Sequence, residues 1–159
     1  MPQRKQASRK TLVADAREAV RVCAGTNIRL AARRITRFLE ARMQETDLSL
    51  PQFGLMTHIA AAENDTIGTL AERADLDQST LSRNLRGLER AGLVEIAVVE
   101  KDLRRRAVWL TEKGARRLEA AIPIWRRAHA ALADLIALRD VRKIAASTAS
   151  LDATISADS

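Results

Sequence analysis

The strongest constraint on the fold of this chain is the spacing of Leu81, Leu85 and Leu88. Steps of four and three put all three leucines on one side of a helix. The other side then carries Ser79, Arg83, Arg86 and Arg90, with Thr80 and Ser82 on its flanks. Asp77 is a natural N-cap for this helix, and Gly92 ends it. A helix that buries leucine and presents arginine needs a core beneath it, and the flanking residues supply one. Thr66 can cap a shorter helix whose apolar positions are Ile67, Leu70, Ala71 and Ala74. Asp75 falls in the turn between the two helices, where aspartate tolerates a left-handed backbone better than most residues. Leu76 returns to the core.

After Gly92 the period changes. Leu93–Val99 and Ala107–Leu110 are rich in β-branched residues and flank the polar run Lys101–Arg106. A hairpin with an arginine-rich tip is the economical reading. Helix, tight turn, helix and hairpin in that order make a winged helix-turn-helix. The expected fold class is mostly α with a small β-hairpin wing, joined to a helical dimerisation region.

The rest of the chain is helical in pattern. Residues 1–10 read as a disordered basic tail. Residues 11–48 hold an N-terminal helix, with a break or bend expected at Gly25-Thr26-Asn27. The winged domain covers 50–110, opening on a helix from Pro51 to about Glu63 with the proline in its first turn. Asn64-Asp65 is the turn that follows. Residues 111–159 carry two more helices. Thr111 caps the first, where Leu118, Ile122, Trp125, His129, Leu132 and Ile136 recur at near-heptad spacing and Pro123 introduces a kink. The second uses Val141, Ile144, Ala145, Thr148, Leu151 and Ile155. These two helices display more apolar surface than the wing domain can cover, so a second copy is expected against them.

The 159 residues carry a formal charge of +7, which suits a polyanionic partner. The charge is unevenly placed. Residues 1–42 hold 11 basic and 3 acidic side chains, a net +8, whereas residues 66–106 are net +1. Attraction in bulk therefore does not mark the reading domain; the direction its arginines face does. No apolar run approaches the length of about 18 residues needed to span a membrane. The basic N-terminus lacks the apolar stretch of a secretory signal. A single cysteine suits a reducing, cytoplasmic location, with association to the nucleoid when bound to DNA. No metal-ligand spacing, phosphate-cradling glycine loop or nucleophile motif is present, so neither a metal, a cofactor nor an enzymatic activity is expected.

A helix fits the major groove of duplex DNA, where each base pair shows a distinct donor and acceptor pattern. Gln78, Ser79, Thr80, Ser82, Arg83 and Arg86 are the candidate contacts, with Arg83 the first choice for a bidentate contact to guanine. The amides of Gln78 and Ser79 can meet a phosphate. On the wing, Arg104, Arg105 and Arg106 can enter the minor groove or reach phosphates. Asp102, two residues before Arg104, can preset that guanidinium. The competing reading of each arginine is a solvated polar face.

These residues resemble the MarR family of bacterial transcriptional regulators. Leu70–Val94 is similar to the family's helix-turn-helix, Asp102-Leu103-Arg104 to its wing signature, and Leu110–Gly114 to the segment that follows the wing. Pro51–Phe53 and Ile122–Trp125 add to the likeness, which spans about residues 15–150. The resemblance implies an obligate homodimer on a pseudo-palindromic operator, commonly a repressor released by a small ligand or oxidant, with the helix of residues 11–48 and the two helices of residues 111–159 forming the dimerisation region.

Two triggers are open at this point. Cys23 is a redox-sensing candidate, with Arg21 placed to lower its pKa; the alternative is a small core residue on an apolar stripe. Some family members use a cysteine near this region with assisting tyrosines, and this chain has none. The other trigger is a small aromatic or anionic effector, for which Arg33, Phe53 and His58 are candidate contacts. Arg29, Arg33 and Arg37 form a row on the first helix that could instead face solvent. A further functional alternative is an architectural DNA binder without sequence preference, using the same basic surface.

Overall fold

The computed structural model describes residues 3–62, 66–99 and 102–151; the side chains of residues 3–10, 98, 99 and 102–106 lie outside that description. The chain divides into two units, one ending at Phe38 and one beginning at Leu39.

The first unit contains α1 (Gln3–Val22) and most of α2 (Ala24–Met43). α1 begins at Gln3, where the sequence reading places a disordered tail. Gln, Arg, Lys and Ala are good helix formers, and neither glycine nor proline interrupts residues 3–22. The interruption falls at Cys23 rather than at residues 25–27. Asn27 explains the shift: its side-chain amide donates to the Arg21 carbonyl at 3.1 Å, capping the end of α1. Gly25 and Thr26 then form the first turn of α2.

In the second unit a single 3-10 turn, Gln44–Thr46, follows α2. Thr46 is buried, but its hydroxyl donates to the Met43 carbonyl at 2.7 Å and accepts from the Leu48 amide at 3.1 Å. α3 (Leu50–Ala60) starts in a capping box, in which Ser49 accepts from the Gln52 amide and the Gln52 side chain accepts from the Ser49 amide. It ends at Ala60, earlier than the sequence suggests, and Asn64-Asp65 lies outside the described residues. α3 contributes Phe53, Leu55, Met56 and Ile59 to the core.

α4 (Ile67–Ala74) and α5 (Gln78–Arg90) pack over that core through Leu70, Ala71, Leu81, Leu85 and Leu88. The three α5 leucines are fully buried. At roughly 1.5–3 kcal/mol for each such side chain, their burial is the main force holding α5 down. Strands β1 (Val94–Val99) and β2 (Asp102–Leu110) form an antiparallel hairpin, whose Val94 and Val108 close the core. A single bridge from Thr66 to Ala107 ties the start of α4 to the middle of β2.

α6 (Glu112–Ala133) buries Leu118, Ala121, Ala128 and Leu132. Ile122, Trp125, His129 and Ile136 are only half-buried, so the packed stripe is rotated slightly from the one expected. Trp125 stacks on Phe53 with centroids 5.8 Å apart, and His129 lies 4.4 Å from Trp125. Arg117 bonds the Thr46 carbonyl and the Asp47 carboxylate, tying α6 to the 3-10 turn. α7 (Leu138–Thr148) buries none of its residues and leaves Val141 and Ile144 exposed.

Candidate nucleic-acid interface

The site is organised by the turn between α4 and α5. Asp75 adopts the left-handed conformation (φ 51°, ψ 49°), which lets its amide and that of Leu76 fold back onto α4 carbonyls. Leu76 turns inward and Asp77 is left at the N-cap of α5. The leucine face then fixes which side of α5 looks outward. Gln78, Ser79, Arg83 and Arg86 are exposed, and Thr80 and Ser82 are half-buried. All six expected contacts therefore sit on one helix, four of them exposed.

Asp77 does more than the sequence reading assigns to it. Its carboxylate accepts the Ser79 hydroxyl at 2.7 Å, the Thr80 hydroxyl at 2.7 Å and the Thr80 amide at 2.8 Å. These bonds, with the Ser79 hydroxyl the largest influence, hold the acid far below the ordinary aspartate value of 3.8. The first-turn amides of α5 were expected to meet a phosphate at Gln78 and Ser79. The Asp77 carboxylate instead accepts the Thr80 amide in that turn, and its negative charge opposes a phosphate there. Ser79 and Thr80 likewise have their hydroxyl hydrogens committed to Asp77, which leaves their oxygens only as acceptors. The pattern Asp-x-Ser-Thr at residues 77–80 is the sequence signal for this arrangement.

Ser79, Ser82, Arg83, Arg86, Glu89 and Arg90 line a shallow groove of about 630 Å³ along the outer side of α5. Glu89 is the member that sequence reasoning missed. The Arg90 side chain donates to the Arg86 carbonyl at 3.3 Å, so it lies along the helix end.

The wing differs from the expected hairpin in one respect. β2 begins at Asp102, so Arg104–Arg106 belong to the strand and not to a loop between shorter strands. Val98 pairs with Arg106, but Val99 pairs with Asp102. Leu103, Arg104 and Arg105 thus form extra length on one strand, an irregularity of the β-bulge kind. The side chains of Asp102, Arg104, Arg105 and Arg106 are outside the described residues, and so is the expected contact between Asp102 and Arg104.

Cys23 is exposed, not part of a core stripe. Its thiol is held below the ordinary value of 9.0, mainly by the Thr26 side chain, then by the Thr26 and Gly25 backbone and the Arg29 charge. The charge comes from Arg29; Arg21, the expected source, lies 4.0 Å from Glu18. Of the effector candidates, Arg33 is exposed on α2 in the first unit. Phe53 and His58 are on α3 in the second, where Phe53 is buried against Trp125 and His58 is half-buried.

A family model described as the MarR family matches residues 46–105. The transcriptional regulator HosA of Escherichia coli is 41% identical over 78 residues, which is 49% of this chain and 58% of that protein. The chain thus matches somewhat over half the length of these curated relatives. Among solved structures, the M. tuberculosis transcriptional regulator MosR in complex with DNA is 30% identical with a TM-score of 0.76, covering 83% of this chain and 98% of that one. The S. aureus MepR–DNA complex shares the fold at 20% identity and a TM-score of 0.69, over 82% of this chain and 97% of its own. The PcaV regulator of Streptomyces coelicolor, with its natural ligand, does so at 23% identity and a TM-score of 0.71, over 85% and 96%.

Proposed function

The chain belongs to the MarR family of transcriptional regulators, and from that premise we propose that it binds duplex DNA sequence-specifically as a homodimer, repressing transcription until a small ligand releases it. The observation that carries the reading is the outward face of α5. Three buried leucines orient Arg83, Arg86 and Ser79 together into solvent, on a helix capped and braced by a core of its own. Asp102, Arg104, Arg105 and Arg106 belong to the wing strand β2 and are the second set of contacts in this reading. The 30%-identical MosR structure contains DNA, which supports the same partner here.

Dimerisation through residues 11–48 and 111–159 is favoured by the apolar groups these segments leave open. Leu12, Val13 and Val20 on α1, and Val141 and Ile144 on α7, are all exposed in a single chain. A two-fold pair would set two copies of α5 roughly 34–36 Å apart, one turn of DNA. The excess positive charge of residues 1–42 adds salt-dependent affinity without sequence preference.

Selection of bound genomic fragments, followed by footprinting under competitor DNA, tests the proposal. The expected result is protection of two half-sites, with Arg83→Ala weakening discrimination by roughly 1–3 kcal/mol at one position. Arg104→Ala should weaken it through the wing. Protection without sequence preference would make the protein an architectural binder. A shift that persists unchanged in the double variant would put the DNA surface elsewhere.

A second reading of the trigger is favoured by Cys23, which is exposed and carries a thiol pKa lowered by Thr26. In that reading an oxidant, not an aromatic or anionic ligand at Arg33, Phe53 or His58, releases the DNA. Equal release of wild type and Cys23→Ser by hydroperoxide removes it.

A further inference from the structure

The end of α5 is held by a set of contacts that neither the recognition face nor the core requires. α5 closes in a Schellman arrangement: Gly92 has φ 69°, the Leu93 amide donates to the Leu88 carbonyl and the Gly92 amide to the Glu89 carbonyl. That leaves the next carbonyls, those of Ala91, Gly92 and Leu93, pointing away from the helix. Each is taken by the start of α6. Lys113 Nζ donates to Ala91 at 2.7 Å, Thr111 Oγ1 to Gly92 at 2.7 Å, and the Thr111 amide to Leu93 at 3.1 Å. Gly114 lies so close to Leu93 that no side chain fits between them.

Leucine contacts resist separation, but they are non-directional and tolerate sliding and rotation. Hydrogen bonds are directional, with donor–acceptor distances confined to about 2.7–3.2 Å. Reading a base edge needs the same tolerance at the DNA. The leucines therefore keep α5 on the core, whereas the α6 contacts fix its position along and about its own axis. The ammonium of Lys113 also complements the negative C-terminal end of the α5 dipole.

We infer that Lys113 is a positioning residue for DNA recognition, acting with Thr111 and Gly114 to lock α5 onto α6 without touching DNA. The inference rests on the DNA-binding reading proposed above. Because α6 belongs to the proposed dimerisation region, the lock also makes the setting of α5 follow the dimer.

Lys113→Met keeps the side-chain stem and removes the donor, and Lys113→Arg restores one. Two measurements on the full chain separate the outcomes. The first needs no DNA: amide hydrogen exchange at Gly92 and Leu93 should quicken about two- to tenfold in Lys113→Met and return toward wild type in Lys113→Arg, the range of one modest hydrogen bond. Unchanged exchange overturns the lock. The second is affinity for the selected operator across a salt series. Specific binding should weaken about two- to tenfold in Lys113→Met, with non-specific binding and the salt slope unchanged. A slope reduced by about 0.9 would make Lys113 a phosphate contact and overturn the inference. Unaltered affinity would do the same. Faster exchange in Lys113→Met, together with a wild type that selects no operator, would instead sink the DNA-binding proposal, and with it any positioning role.

Discussion

Gly114→Ala is the most demanding test of the α5–α6 junction. A Cβ built on Gly114 would stand 1.9 Å from the Leu93 carbonyl oxygen, 2.8 Å from its carbon and 3.2 Å from its Cα. All three are backbone atoms, so no side chain can swing aside. Reaching ordinary contact at 3.4 Å requires the strands of chain to part by 3.4 − 1.9 = 1.5 Å. That movement stretches the Thr111 amide bond to Leu93, now 3.1 Å, and the Thr111 and Lys113 bonds to Gly92 and Ala91, now both 2.7 Å, beyond bonding distance. Three hydrogen bonds at about 1 kcal/mol each amount to roughly 3 kcal/mol. Separating Leu93 and Val94 from the core adds about 1 kcal/mol, the lower end of the cost of overpacking. Against this, alanine improves helix propensity by about 1 kcal/mol. The expected net loss is about 3 kcal/mol, equivalent to a fall in Tm of roughly 6–12 °C for a chain of this size. Urea titration followed by circular dichroism measures it. A variant as stable as wild type would mean that helix propensity wins and that the close approach is not rigid, which refutes the reasoning.

Three further outcomes follow from particular residues. Leu85→Ala empties a fully buried position beneath the recognition face and should cost about 2–5 kcal/mol in urea denaturation; a loss below 1 kcal/mol would mean α5 is not seated on the core as described. Asp77→Ala should destabilise the chain at neutral pH. The folded carboxyl lies below its ordinary 3.8, so its contribution is complete above that value and is lost as the pH falls beneath it. The gap between wild type and variant should therefore close on acidification, and a gap that stays constant down to about pH 2 contradicts the capping assignment. Alkylation of Cys23 should show a thiolate midpoint below 9.0, and Thr26→Val should raise it; identical midpoints would remove Thr26 as the cause.

The order of the elements was legible in the chain because it is local. The 4-3 spacing of Leu81, Leu85 and Leu88, the caps at Thr66, Asp77 and Thr111, and the switch to β-branched residues after Gly92 act over one or two turns. Each cap is present as expected, with its side chain accepting from the first turn of its helix. The outward arginines of α5 follow from the same periodicity.

Other features depended on partners distant in sequence or on competition between neighbours. The helix break fell at Cys23, where Asn27 reaches back to Arg21, and the Cys23 thiol is exposed. Ser79 and Thr80 have the residue types of base readers, but their hydroxyl hydrogens go to the nearer carboxylate of Asp77. Arg106 was drawn into β2 by pairing with Val98, while Arg104 and Arg105 fall in an irregularity that no alternation pattern announces. Lys113 looks like any exposed helical lysine until folding brings Ala91, more than twenty residues away, to its ammonium group. Short-range steric and capping preferences are written in adjacent residues; which carbonyl a lysine meets, and whether a glycine has room for a methyl group, are decided only when separate elements pack.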